Sequence, residues 1–430
     1  MIQTIRKAWG IPELRKKIIF TALILLIFRI GNAIPVPYVN TGLLGTYMDQ
    51  LSTTVLSLYN VMSGGAFAQA TVFALGVQPY INSSIIIQLL TIAIPSLGRM
   101  AQEGGEEGKK KIQSITRYAT VAIAIIQGIG YFFLMKNYGI LNSTSVWAAL
   151  VITVSFIAGS SFVMWMGEQI TEFGIGNGIS IILFAGILSR VPTMVSQMVD
   201  GFRAGTLKWW MALLVIVGIL LLIVLITWVN GAERRIPVQY AKRIVGNKQY
   251  GGVRQYIPLK MNAANVMPII FAQALMFIPM LFANVAPGFA AAFSDMRGFW
   301  YNLTLGILVV AFTYFYTAII INPQMMADDM KRNGGFIPGV KPGKATVNYI
   351  DTIMTRITLP GSIFLALVAI LPALAMKFLN IQQAFAYFYG GTSLLIMVGV
   401  ILDTLKQIES YLLMRHYDGL MKTGRIQGRY

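Results

Sequence analysis

Residues 60–94 read NVMSGGAFAQATVFALGVQPYINSSIIIQLLTIAI, and no charged side chain interrupts them. A charge-free run of this length belongs in a membrane. Gly64-Gly65, Gly76 and Pro79 nevertheless break it in two. The first piece, roughly 65–75, is too short to cross a bilayer, which takes about 20 residues of helix. The second, from Gly76 to Ile94, is long enough. Loosened backbone inside a membrane has to face protein or water, never lipid. The break therefore points to a path through the protein.

The rest of the chain agrees with a membrane setting. Of its 430 residues, 56% are apolar and only 12% charged. Helices and closed barrels are the spanning structures available, and the apolar runs here are long and continuous rather than alternating, which selects helices. The formal charge of +18 is read first as basic cytoplasmic loops and only second as affinity for nucleic acid. Cysteine is absent, so no disulfide framework or thiolate chemistry is expected. Basic residues precede the first apolar run, as in a signal peptide. No small-x-small cleavage site follows and more spans come after, so the first span is read as retained.

Ten spans are expected: 18–38, 76–94, 116–135, 146–166, 176–196, 209–229, 263–284, 301–322, 357–376 and 388–405. Placing the N-terminus in the cytoplasm puts 27 of the 34 Lys and Arg residues on the cytoplasmic side and six outside. Arg29, inside the first span, is the remaining one. That asymmetry is a strong positive-inside signal and returns the C-terminus to the cytoplasm. Ten is also five plus five, with a proline in the second span of each half (Pro79 and Pro268). An odd number of spans per repeat makes the halves inverted. The expected organisation is an N-terminal half, 1–200, and a C-terminal half, 201–430.

Much chemistry is missing. No GxxxxGK[ST] phosphate loop, HExxH or GxSxG occurs, and the one histidine, His416, sits in the tail. No catalytic residue, cofactor or metal site is expected, and the chain does not read as an enzyme. Ionisable groups at depth mark ion and proton relays. Arg29 is the one clear candidate, and it reads better as a buried structural partner for backbone carbonyls. Glu168 and Asp403 fall near cytoplasmic helix ends, within reach of water. A gradient-driven transporter places an acidic group near the midplane, and none is visible. A passive conduit driven by a partner is left.

Several stretches occur together: FRIGNAIPVP (28–37), MSGGAF and FALGVQPYINSSIIIQLL (62–90), MWMGEQITEFGIGNGISIILFAGI (164–187), ADDMKRNGGFIPGVKPG (327–343) and GGTSLLI (390–396). As a set, and nearly end to end, the chain resembles the SecY family, the channel-forming subunits of the bacterial Sec protein translocase. Any one motif, such as GxGNG, would be a weak signal by itself.

The resemblance implies an all-α integral membrane protein, ten helices in two inverted five-helix halves around an hourglass pore. It implies a constriction ring formed by Val77 and Ile81, Ile179 and Leu183, Ile270, and Ile396. The pairs 77/81 and 179/183 are each one helical turn apart on a common face, although on pattern alone all six also suit ordinary core or lipid-facing positions. An aliphatic ring blocks ions by dewetting and offers a passing chain no hydrogen bonds to hold it. The 65–75 piece becomes a short plug helix, with Gly64 and Gly65 as its flexible joint and Phe67, Ala70 and Phe73 on it. A re-entrant loop packing a cavity is the bland alternative.

By the same resemblance, spans 2 and 3 face spans 7 and 8 across a lateral gate. Asn82, Ser83, Ser84, Gln88, Gln127 and Gln273 are the polar residues there. Interhelical polar contacts of about 0.6–2 kcal/mol can close such a seam and still yield to a signal helix, and they can equally be plain helix–helix glue. Two cytoplasmic loops, 231–262 and 323–356, are longer than bundle connections need. They are implied to receive the SecA motor or the ribosome, whose RNA suits their charge, through Arg234, Arg235, Lys242, Arg243 and Lys341. Bacterial members of the family usually carry arginine at the last position, and lysine lacks its bidentate fork. SecE, SecG, preproteins with their signal sequences and the lipid bilayer complete the implied partners, in the bacterial inner membrane. An inverted-repeat transporter for a small solute is the alternative reading.

Overall fold

A computed structural model describes residues 9–50, 60, 63–102, 105–203, 209–240, 243–245, 248–250, 254–276, 288, 293, 297–379 and 391–422. The helices among them are α1 Pro12–Gly31, α2 Thr41–Gln50, α3 Gln78–Ala93, α4 Pro95–Gln102, α5 Gly105–Asn137, α6 Val146–Phe173, α7 Gly178–Leu188 and α8 Val191–Arg203. They continue with α9 Trp209–Gly231, α10 Met267–Leu275, α11 Phe299–Ile320, α12 Pro323–Arg332, α13 Lys344–Leu379 and α14 Gly391–Lys422. Each of the ten expected spans overlaps at least one of these helices, the one at 176–196 being divided between α7 and α8, and those at 263–284 and 388–405 being described only in part. Four of them, α5, α6, α11 (with α12 running on from it) and α13, are long and apolar enough to cross a membrane by themselves. The α3–α4 pair passes the same test as a broken span, bent by 109°. Pro95 opens α4 at that bend, since proline cannot extend the helix before it.

Helix ends follow local chemistry. Ser145 caps α6 by accepting from the Ala148 N–H at 3.2 Å. Asn322 caps α12 by accepting from Gln324 and Met325, with Pro323 in the first turn, where a missing N–H costs nothing. Two helices start well before the expected spans. α5 begins at Gly105, where Glu106, Glu107, Lys109, Lys110, Lys111 and Gln113 fall outside an apolar window yet are good helix formers in water. α13 begins at Lys344, where Ile350 and Met354 pack into a buried cluster.

The backbone divides into two compact units, Met1–Arg203 with Val400–Tyr430, and Ala204–Gly399. In the first, α3 packs on α5, α5 on α6, and α6 on α7 and α1. A buried cluster gathers Val36, Leu44, Phe67, Ala70, Leu75, Tyr131, Met135, Ile152 and Phe156. In the second, α11 packs on α13 and α10.

The second unit also holds strands, which the all-helical expectation omits. β1 Glu233–Tyr240, β2 Arg243–Val245, β3 Lys248–Tyr250, β4 Arg254–Lys260 and β5 Gly335–Phe336 form a three-stranded sheet of order β4-β1-β5 and the small hairpin β2–β3. β1 and β4 pair antiparallel, with Ile236 opposite Ile257 and Arg234 opposite Leu259. Ile236, Val238 and Leu259 are buried with Met330, Ile337, Ile350 and Met354. The two basic loops thus share one small core. Isoleucine and valine alternating with polar residues at period two favour a half-buried strand.

Candidate functional site

The segment 63–77 is a succession of turns, not the short helix expected for residues 65–75. Gly64, Gly65 and Gly76 lie at φ 69°, 93° and 53°, and Ala70 at 42°. Left-handed residues cannot continue a right-handed helical ladder, so the backbone groups find other partners. Val36 N–H donates to the Ala70 carbonyl and Val72 N–H to that of Ile34, both at 3.0 Å. Ala68 N–H donates to Asn60 Oδ1 at 3.0 Å and Phe67 N–H to Ser63 Oγ at 3.1 Å.

Side chains pin the same segment. The Tyr131 hydroxyl of α5 donates to the Phe67 carbonyl at 2.5 Å. The two rings stack with centroids 4.3 Å apart, and Phe156 of α6 lies 5.2 Å beyond. Ser160 Oγ donates to the Gly76 carbonyl at 3.3 Å. Gly159 is a glycine because any β-carbon there would run into the Val72 carbonyl, and Gly31 leaves room for the Phe73 ring. Phe73 lies between Phe28 and Phe162. Phe67, Ala70 and Phe73 are buried, while Gly64 and Gly65 are partly so.

The aliphatic set can be described within each unit. Val77 caps the N-terminal end of α3, with Pro79 in its first turn. Ile81 N–H donates to the Val77 carbonyl at 3.1 Å, so the pair shares a face, and both side chains are buried. On α7, Leu183 is buried and Ile179 partly so, its Cδ1 filling the space a β-carbon on Gly167 would need. In the second unit, Ile396 of α14 is buried and Ile270 of α10 partly buried.

The polar set separates. Ser83 is fully buried and its hydroxyl lies 2.6 Å from that of Thr120 on α5, which also donates to the Thr116 carbonyl at 2.7 Å. Thr120 was not among the sequence candidates. Its spacing of four from Thr116, which puts two hydroxyls on one face, was the available signal. Asn82, Ser84 and Gln127 are half-buried, and Gln127 Oε1 has no hydrogen-bond partner. Gln88 is exposed. In the second unit Gln273 donates to Thr392 Oγ1 at 3.5 Å.

One charged residue departs from expectation and a second gains a partner. Arg29 is exposed in the last turn of α1, not buried. The helix stops at Gly31, so the guanidinium sits at a helix end where it complements the dipole and reaches outward past apolar neighbours. Glu168 is mostly buried and receives Arg117 Nε at 2.8 Å and Gln113 Nε2 at 3.2 Å. This pair ties α5 to α6, a contact that the expectation of a water-accessible Glu168 did not include.

Of the basic loop residues, Arg234, Arg235 and Lys341 are exposed. Arg235 Nε pairs with Glu233 at 2.8 Å. Arg243 opens β2, and Lys242 lies outside the described residues. Among the described residues no cluster of His, Asp or Glu could hold a metal ion.

Comparison with known proteins brings these observations together. The SecY family model matches residues 71–405. The protein translocase subunit SecY of Aquifex aeolicus is 41% identical over 432 residues, covering 98% of this chain and all of that one. That of Thermotoga maritima is 41% identical over 446 residues, covering the whole of both. Among solved structures, a protein-conducting channel superposes with a TM-score of 0.61 at 16% identity, over 94% of this chain and 96% of its own. Sec61 from the canine ribosome–channel complex of the endoplasmic reticulum gives 0.56 at 15% identity, with the same coverage. At those identities the structures speak for the fold, which the ten helix-bearing stretches fit. This membrane protein belongs to the SecY family.

Proposed function

We propose that the chain is a protein-conducting channel, passing unfolded secretory polypeptides across the bacterial inner membrane and releasing transmembrane segments sideways into lipid. The observation that carries this is the full-length match to relatives named protein translocase subunits, which are not named as enzymes. The positive-inside asymmetry supports cytoplasmic termini.

In this reading the halves 1–200 and 201–430 enclose an hourglass pore. Val77, Ile81, Ile179, Leu183, Ile270 and Ile396 form its constriction, where aliphatic walls exclude water and ions. The turn segment with Gly64, Gly65, Phe67, Ala70 and Phe73 closes it at rest as the plug. Asn82, Ser83, Ser84, Gln88, Gln127 and Gln273 belong to the lateral gate. Energy comes from outside the chain: SecA or the ribosome docks on the basic loops through Arg234, Arg235, Lys242, Arg243 and Lys341, with ribosomal RNA as a fitting anionic contact. SecE clamps the halves and SecG accompanies them.

The test is reconstitution. Vesicles holding the chain with a SecE-like partner should make an unfolded preprotein protease-resistant when SecA and ATP are added. Photo-crosslinkers at Ile81 and Ile270 should both capture a stalled preprotein. Failure of both, with uptake of a small solute by the purified chain, would favour a transporter instead.

A further inference from the structure

The GIGNG stretch, residues 174–178, links α6 to α7 and takes no part in the site above. Three of its backbone donors are met by side chains from separate parts of the first unit. Ile175 N–H donates to Thr21 Oγ1 of α1 at 3.2 Å. Gly176 N–H donates to Gln407 Oε1 of α14 at 2.9 Å. Gly178 N–H donates to Thr171 Oγ1 of α6 at 2.9 Å, and Asn177 Oδ1 caps α7 at the Ser180 N–H.

The glycines serve this arrangement. Gly176 has φ 78°, and a β-carbon on it would come within 3.1 Å of Thr404 Oγ1 on α14. One on Gly174 would strike Thr21 Oγ1 at 2.5 Å, and one on Gly178 the Gly167 carbonyl. Apolar packing reinforces the contact: Leu14, Ile175 and Ile408 form a buried cluster, with Ile11, Ile18 and Leu412 against it. Lys17 Nζ also donates to the Tyr411 hydroxyl at 3.2 Å.

The last residue of this joint, Gly178, opens α7, whose first turns carry Ile179 and Leu183. Resting on the channel reading, we infer that Gln407 is a positioning residue: by holding the Gly176 N–H it fixes the start of α7, so the cytoplasmic part of α14 and these two aliphatic side chains move as one body. A partner that pulls on the C-terminal helix would thereby reset Ile179 and Leu183 without touching them.

The chain has no cysteine, so single reporters are clean. The assembled channel would carry Ile179→Cys or, as reference, Ile270→Cys, and modification by a water-soluble maleimide would be timed. Gln407→Leu removes the acceptor at similar size and should raise the rate at position 179 about three- to tenfold, the range of one lost hydrogen bond. The rate at 270 should stay within about twofold, and Gln407→Glu, which still accepts, should restore 179. An unchanged rate at 179, or an equal rise at both positions, overturns the inference. If Gln407→Leu does not accumulate, Thr21→Val removes the neighbouring acceptor and must raise the same rate, or the inference fails. Preprotein transport by the unsubstituted chain is scored separately: its absence would sink the channel reading, while the rate at 179 alone decides the joint.

Discussion

Tyr131 holds Phe67 twice, donating its hydroxyl to the Phe67 carbonyl while stacking ring on ring at 4.3 Å. Both residues are buried, at 4% exposure each. In such surroundings a carbonyl that loses its donor has no water to turn to. The 63–77 segment is therefore anchored from α5 as well as closed on itself.

Tyr131→Phe keeps the stack and removes only the donor. It should weaken the anchor by about 1–3 kcal/mol, the cost of leaving a buried acceptor unmet. In planar bilayers the resting channel should then conduct ions more often than the unsubstituted one. Equal open time would mean the hydroxyl contact does not hold the segment.

Deleting residues 65–72 removes Phe67 and Ala70 from their buried cluster and, on the proposed reading, the seal as well. Resting ion leakage should rise more than with Tyr131→Phe, while preproteins still cross. A conductance indistinguishable from the intact chain would remove the plug assignment.

Gly159→Ala presses a methyl group onto the Val72 carbonyl. Overpacking of this kind typically costs about 1–3 kcal/mol. Thermal unfolding of the purified protein in detergent should fall accordingly, whereas Gly130→Ala, where a β-carbon meets nothing within 4 Å, should leave it unchanged.

Ser83 and Thr120 share a hydroxyl contact of 2.6 Å between α3 and α5. A double-mutant cycle with Ser83→Ala and Thr120→Val should give a coupling of about 0.6 kcal/mol, and no more than about 1.7. Additive losses would show that the two helices are held by packing alone.

What the sequence makes legible here is what local pattern controls. Val77 and Ile81 can be paired in advance because one helical turn separates them, and the break before them is announced by Gly76 and Pro79. The conformation of residues 63–77 cannot be read the same way, because Ile34, Val36, Tyr131 and Ser160 impose it from distant parts of the chain. The Arg117–Glu168 pair is hidden for the same reason: 51 residues separate its members, and only the packing of α5 on α6 joins them. Arg29 misled because an apolar run does not reveal where its helix stops. The strands were closer to hand. RRIPVQY and RQYIPLK alternate with period two, but their charge made the stretch read as a loop.

The small core shared by β1, β4, β5, α12 and α13 has a mechanical meaning. Ile236 and Leu259 come from one basic loop, while Met330, Ile337 and Ile350 come from the other. The sheet begins two residues after α9 ends, and β4 runs through a short turn into α10. α12 follows α11 closely, and α13 extends from the same knob. It is a handle with four helices for shafts. A load applied to any exposed arginine on it is shared among all four as torque rather than absorbed by a slack loop.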